Sequence, residues 1–160
     1  MVALREREVR NEEILQPSVA AMVIFDMKRE RVLLVSHKAS RKEGLVALPG
    51  GRPKLGSDEN LTQAGIRELR EETGLRITED NLVSFPGNIY SGFIRREGSG
   101  FYYILRAFIV TGYEGELKRN SPEGKVFWAD VAKLDRFGSR LSPTVKTVVS
   151  DSLRYLKTTR

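Results

Sequence analysis

Glu68, Glu71 and Glu72 are the residues of this chain best suited by type and spacing to do chemistry. They continue a helical series that begins with Leu61, Ala64 and Gly65, and at 100° per residue all six share one helix face. That face starts small and apolar and ends in carboxylates. Such an arrangement is costly on a helix. Glutamates in the last turns oppose the macrodipole by about 0.3–1 kcal/mol each, and the like-charged pair Glu68–Glu72 at i,i+4 adds a few tenths more. Arg67 and Arg70 relieve part of this, although Arg67–Glu71 has the weaker orientation of an i,i+4 pair. A divalent cation would reverse the sign of every one of these terms, and carboxylate oxygens are the ligands that Mg²⁺ and Mn²⁺ prefer. The competing reading is an acidic face turned to water.

The composition narrows the chemistry further. The chain has 160 residues, no cysteine and a single histidine, His37. Thiolate metal sites, cysteine nucleophiles and histidine-rich zinc sites are therefore excluded, and a Ser-His-Asp triad is disfavoured. Lys and Arg number 27 against 21 Asp and Glu, a formal charge of +6. The excess favours anionic partners, whether polyphosphates, nucleic acid or an acidic membrane surface, without choosing among them. With 40% apolar residues and a mean hydropathy of −0.34 the chain reads as one globular domain over 1–160, preceded by a charged lead-in over 1–17. No apolar run approaches membrane-spanning length and Met1 to Gln16 lacks a signal peptide's apolar stretch, so the expected location is the cytoplasm.

The context of the three glutamates carries a resemblance. The run Gly51–Leu75 reads GRPKLGSDENLTQAGIRELREETGL and resembles the box of the Nudix hydrolases, G-x5-E-x7-R-E-U-x-E-E-x-G-U, where U is aliphatic. Glu59, Arg67, Glu68, Leu69, Glu71, Glu72, Gly74 and Leu75 match in identity and spacing. Gly51 matches in identity only, because seven residues rather than five separate it from Glu59. Leu48-Pro-Gly-Gly51 ahead of the box and Glu123-Gly-Lys-Val-Phe-Trp128 beyond it resemble segments of MutT-like members, and the likeness covers roughly residues 18 to 156.

The resemblance implies an α/β/α sandwich with a mixed β-sheet, and hydrolysis of the pyrophosphate bond of a nucleoside diphosphate derivative by an attacking water with Mg²⁺ or Mn²⁺. It implies Glu71 and Glu72 as principal metal ligands, joined by the Gly51 carbonyl. Glu68 is implied as a further ligand or as the general base, with Glu123 the alternative base. Arg67 would orient the glutamates and Glu59 would support them from behind. Basic residues near the box, Arg52 and Lys54 within it and His37, Lys38, Arg41 and Lys42 before it, are candidates for the polyphosphate; a solvated loop is the ordinary reading of the latter group. The favoured substrate is a nucleoside triphosphate, oxidised or non-standard versions included, cleaved to monophosphate and pyrophosphate. Dinucleoside polyphosphates, ADP-ribose and RNA 5′ ends are the alternatives, and a non-catalytic nucleotide- or RNA-binding module is a competing class. A monomer or homodimer without a membrane partner is expected.

The elements that must position these residues follow from pattern. Val19–Phe25 and Arg31–Ser36 read as strands joined by a hairpin turn at 26–30, Leu45–Leu48 as a short strand ended by Pro49-Gly50-Gly51, Phe101–Thr111 as the longest strand and Lys125–Trp128 as another. A helix is predicted from about Asp58 to Thr73, capped by Ser57 or Asp58 and closed by Gly74. A second runs from Pro143 to about Leu156, capped by Ser142, with Val145, Val148, Val149, Leu153 and Leu156 as its apolar stripe. Tyr90, Phe93, Tyr102, Tyr103, Phe127 and Phe137 are able to stack on a base, but their strand spacing makes most of them core.

Overall fold

A computed structural model of the chain describes residues 18–37, 44–96, 99–118, 120–121 and 124–159. Its strands are β1 (Val19–Val23), β2 (Arg31–His37), β3 (Leu45–Ala47), β4 (Gly50–Gly51), β5 (Leu82–Val83), β6 (Ile89–Arg96), β7 (Ser99–Val110), β8 (Asn120–Ser121) and β9 (Gly124–Asp130). Its α-helices are α1 (Leu61–Thr73) and α2 (Val145–Thr158). One sheet is mixed: β1 runs parallel to β7 and antiparallel to β4, while β5 and β6 pair antiparallel with β7. The other is wholly antiparallel, in the order β3-β2-β9-β8. The predicted α/β sandwich is therefore observed, built on two sheets of which one is mixed.

Alternation along the strands explains the layers. Ala20, Met22 and Ile24 face one way with Phe108 and Val110, meeting Leu69 of α1 together with Leu75 and Ile77. Ala21 and Val23 face the other way with Leu105, Ala107 and Ile109, meeting Val145, Val148 and Val149 of α2. Strand β2 divides its residues between the same two clusters, Leu33 and Val35 in the first and Val32 and Leu34 in the second. Each helix thus closes one face of the sheets by burying its apolar stripe.

Several boundaries differ from the sequence expectation, each for a local reason. The turn between β1 and β2 forms, with Asp26 Oδ1 accepting from the amides of Glu30 and Arg31. The two strands then part, meeting only at the Phe25–Val32 bridge before joining different sheets. The third strand ends at Ala47 ahead of Pro49, as expected, but Gly50-Gly51 then forms a strand of the other sheet, because β1 offers it pairing at Ala20 and Ala21. Helix α1 starts at Leu61: Asn60, not Ser57 or Asp58, caps it, its Oδ1 accepting from Gln63 N at 2.8 Å while Gln63 Oε1 accepts from Asn60 N at 2.9 Å. Gly74 closes the helix in the left-handed conformation as expected. Helix α2 starts at Val145, since Ser142 and Pro143 form a turn ahead of it and the Ser142 hydroxyl is engaged by Tyr103 instead. Strand β6 and the 3₁₀ segment Val131–Arg140 were not foreseen. Among the described residues no helix is long and apolar enough to cross a membrane.

Close packing of α1 on β1 rests on Gly65, where an added Cβ would stand 2.0 Å from Met22 Cε and 2.9 Å from Ala20 Cβ. Gly65→Val is expected to destabilise the fold by about 1–3 kcal/mol through overpacking. The shift of the urea unfolding midpoint at constant slope measures it, and an unchanged midpoint would show that the contact yields freely.

Candidate active site

Helix α1 reaches the edge strand β4 through two glycines. A Cβ on Gly50 would lie 1.8 Å from the Ala20 carbonyl oxygen, and one on Gly51 would lie 2.4 Å from Glu68 Cγ. Only glycine lets the chain pass between β1 and the helix here. The result is a helix face whose last two turns lie against backbone. Glu72 is 7% exposed, and its Oε1 accepts from the Gly50 amide at 2.9 Å. Glu68 sits beside Gly51, while Glu71 is more open.

Arg67 organises the remaining carboxylates. Its Nε donates to Glu59 Oε2 and its Nη2 to Glu59 Oε1, both at 2.8 Å, a two-pronged grip on one carboxylate. Nη1 donates to Glu68 Oε1 at 2.9 Å and to Glu71 Oε2 at 3.1 Å, and Nη2 also donates to the Arg52 carbonyl at 3.0 Å. Five donated bonds match the five N–H groups of a guanidinium. Glu59 lies outside the helix, in extended chain ahead of Asn60, so it comes back towards the helix instead of pointing away from the other glutamates. The hydrogen bond from Arg67 holds the Glu59 carboxyl below its ordinary range; partial burial opposes this, and the Lys54 amide assists it. The same bond to Glu59 raises the Arg67 guanidinium above its ordinary value, against its own desolvation and with help from Glu68.

The two additional residues between Gly51 and Glu59 are absorbed in a turn. Ser57 N and Oγ both donate to the Lys54 carbonyl, at 3.2 and 2.7 Å, and Gly56 takes a positive φ of 74°. This leaves Leu55 fully exposed at the tip and delivers the Lys54 amide to Glu59 Oε1 at 3.2 Å. The loop is longer, yet it still closes on the glutamate.

Of the residues singled out from sequence, Glu59, Arg67, Glu68, Glu71, Glu72 and Gly51 come together, with Arg52 and Lys54 on the exposed loop beside them. Lys38, Arg41, Lys42 and Glu123 lie outside the described residues, as does the His37 side chain. The aromatic expectation holds for Tyr103, which is buried, but not for Tyr102 and Phe93. These two are exposed and form a cross-strand pair with ring centroids 4.6 Å apart. The sequence reading missed a buried hydroxyl group cluster in which Tyr103 meets Ser142 and Thr144, each at 3.2 Å. It also missed the Asn60–Gln63 capping box, which the Asn-x-x-Gln spacing spells out.

The donor set near Gly51 consists of carboxylate and carbonyl oxygens, the chemistry that suits a hard divalent cation. Among the described residues no three acidic or histidine side chains converge on one point; Glu68 and Glu71 are turned on to Arg67, and Glu72 on to the Gly50 amide. The residues fit such an ion in kind and in proximity to the Gly51 backbone.

Comparison with known proteins adds an independent line. The model of the NUDIX domain family matches residues 15–148. An ADP-ribose pyrophosphatase of Methanocaldococcus jannaschii is 28% identical over 153 residues, covering 95% of this chain and 83% of that protein. The crystal structure of the mutator MutT protein from Bacillus halodurans superposes with a TM-score of 0.61 at 27% identity, covering 84% and 80% of the two chains. The NUDIX domain of Shewanella oneidensis NrtR, solved with ADP ribose, shares the fold with a TM-score of 0.65 at 19% identity, over 88% of each chain.

The Arg67–Glu59 grip has a pH signature. A carboxyl held below its ordinary value contributes stability that is complete above the unfolded pKa of about 4.3 and lost as pH falls through the folded value. A ¹³C carboxyl titration should place the Glu59 midpoint below the ordinary range, and Arg67→Gln should move it upwards. A midpoint indifferent to that substitution would assign the depression to another group.

Proposed function

The chain belongs to the NUDIX family, and from that premise we propose that α1, β4 and the loop between them form the reaction centre of a metal-dependent hydrolase. Membership carries the coarse activity: it is a Nudix pyrophosphohydrolase that acts on nucleoside diphosphate derivatives. The observation that carries the site assignment is the set of four glutamates gathered round Arg67 and Gly50-Gly51.

In this reading Glu71 and Glu72, joined by the Gly51 carbonyl, would hold Mg²⁺ or Mn²⁺, with Glu68 either a further ligand or, as taken here, the general base. When bound, the cation neutralises charge on the non-bridging phosphate oxygens and lowers the pKa of the attacking water. The protein does the rest. Arg67 fixes the directions of Glu68 and Glu71 and keeps Glu59 charged behind them. Arg52 and Lys54 lie on the open side of the same loop, where their cationic heads meet the substrate's phosphates; Lys38 and Arg41 are assigned to the same role from sequence. Glu68 takes the proton of the attacking water, the bond to phosphorus forms from that oxygen, and the pyrophosphate bridging bond breaks with the leaving phosphate carrying away its electron pair. Glu123 is the alternative proton acceptor.

For the substrate, a nucleoside triphosphate cleaved to monophosphate and pyrophosphate is the first reading, supported by the MutT likeness at 27% identity. ADP-ribose is the second, favoured by a relative of that activity spanning 95% of this chain. A panel of nucleoside triphosphates, ADP-ribose, dinucleoside polyphosphates and 5′-triphosphorylated RNA, run with Mg²⁺ and with Mn²⁺ in ¹⁸O-labelled water, distinguishes them by turnover and by which phosphate gains the label.

Glu72→Gln and Glu71→Gln should each cut kcat by at least about a hundredfold, since losing even an outer-shell partner of a metal ligand costs ten- to a hundredfold. Circular dichroism should show both folded. Near parental Mg²⁺-dependent turnover in both would remove the ligand assignment. Glu68→Gln and Glu123→Gln separate the candidate bases, the true one losing kcat over the whole pH range while the other keeps its profile. Mild, equal losses would place the base elsewhere.

A further inference from the structure

The outward side of α1 carries a second concavity that the reaction centre does not use. Gln63, Ile66, Arg67, Arg70, Arg76 and Ile77 line a pocket of about 330 Å³, within the range of small-ligand sites. Its floor is apolar: Ile77 is buried in the core beside Leu75, and Ile66 packs against the same cluster. Its rim is cationic. Among the described residues neither the Arg70 nor the Arg76 guanidinium pairs with a carboxylate. Arg67 closes the wall but is committed elsewhere, its donors being occupied by Glu59, Glu68, Glu71 and the Arg52 carbonyl.

Both arginines are exposed, and Arg76 is the more firmly placed of the two. Arg76 is tied through its backbone to Glu114, amide to carbonyl in both directions at 2.9 Å, and its head lies against Gly115, where a Cβ would stand 3.3 Å from Nη1. Arg70 stands in the last turn of α1, where the helix dipole favours its positive charge. Two guanidinium groups lining one pocket over an apolar floor, neither paired with a carboxylate among the described residues, favour an anion whose oxygens accept from both. A bare phosphate would leave Ile66 and Ile77 uncovered; a phosphate attached to a flat ring, whose face packs on aliphatic carbon while its polar edge stays in water, would not.

We propose that this pocket is a second binding site, separate from the reaction centre, for a nucleoside monophosphate: its phosphate on Arg70 and Arg76, its base and ribose against Ile66 and Ile77. The two sites lie on different sides of one helix and share only Arg67.

The test uses the whole protein without metal, so that nothing turns over and the result stands or falls independently of the hydrolase reading. AMP, inorganic phosphate and adenosine are titrated while backbone amides are followed by ¹H–¹⁵N NMR. AMP should bind with shifts at residues 66, 70, 76 and 77, and inorganic phosphate and adenosine each at least about tenfold more weakly. Arg70→Gln and Arg76→Gln should each weaken AMP by about tenfold or more, the loss of a charge-assisted hydrogen bond, while Glu72→Gln leaves it within about twofold, since it stands outside the pocket. Both arginines are exposed, so the variants should fold, and unchanged melting confirms it. The proposal is overturned by an absence of AMP binding at millimolar concentration, by binding indifferent to both arginine substitutions, or by binding that vanishes in Glu72→Gln.

Discussion

One guanidinium sets the geometry of this site. Glu59, Glu68 and Glu71 carry like charges on two segments of chain, a loop and a helix, and nothing in their own chemistry draws them together. Arg67 does so by using its whole set of donors: two on Glu59, one each on Glu68 and Glu71, one on the Arg52 carbonyl. The grip on Glu59 is two-pronged and charge-assisted, and both side chains are mostly covered, so it holds its geometry better than a single exposed ion pair would. Lysine would keep the charge and lose the fork. The loop conformation, and with it the position of Arg52 and Lys54, therefore depends on a helical residue eight positions beyond the glutamate that ends the loop.

The glycines supply the complementary constraint. Arg67 draws Glu59, Glu68 and Glu71 to one side, but Glu72 is held from the other, by a backbone amide that only reaches it because Gly50 has no side chain. A buried carboxylate needs a compensating donor or ion, and the Gly50 amide is one such donor. The helix thus presents its three glutamates to two different anchors, and Glu59 of the loop shares the first. Opposing demands of this kind, Arg67 against Gly50, leave the carboxylates apart in this structure while keeping them within one seam.

What the sequence made legible was whatever depends on spacing within a helix: the shared face of Glu68, Glu71 and Glu72, the apolar stripe that meets β1, the Gly74 closure. It erred where tertiary pairing overrides local signal. Pro49-Gly50-Gly51 reads as a breaker because glycine and proline punctuate loops, and it does end β3, but no local pattern shows that β1 then recruits the two glycines into the other sheet. Ser142 reads as a helix cap until a tyrosine thirty-nine residues away claims its hydroxyl. The strands β1 and β2 read as a hairpin because their turn is a good one, and no local pattern records that they then join different sheets. A helix start at Asp58 is a turn too early and takes Glu59 into the helix; the Asn60–Gln63 capping box is the signal that sets the start at Leu61.

The net charge of +6 conceals a separation by side. Around Gly50 and Gly51 four glutamates face one arginine, a formal −3 from Glu59, Glu68, Glu71 and Glu72 against Arg67. On the outward side of the same helix Arg70 and Arg76 stand without a carboxylate partner among the described residues. A helix of thirteen residues thus divides a cation-seeking seam from an anion-seeking rim, with Arg67 between them. A screening length of about 8 Å at physiological ionic strength is long against the contacts within the seam, which it leaves intact, and short against the far field, which it damps. An anionic substrate can approach the seam itself only if the seam's negative charge is offset, in the proposed reading by a divalent cation. Filled by a divalent cation, it falls from −3 to −1, and the basic loop beside it then dominates the field that an incoming polyphosphate meets.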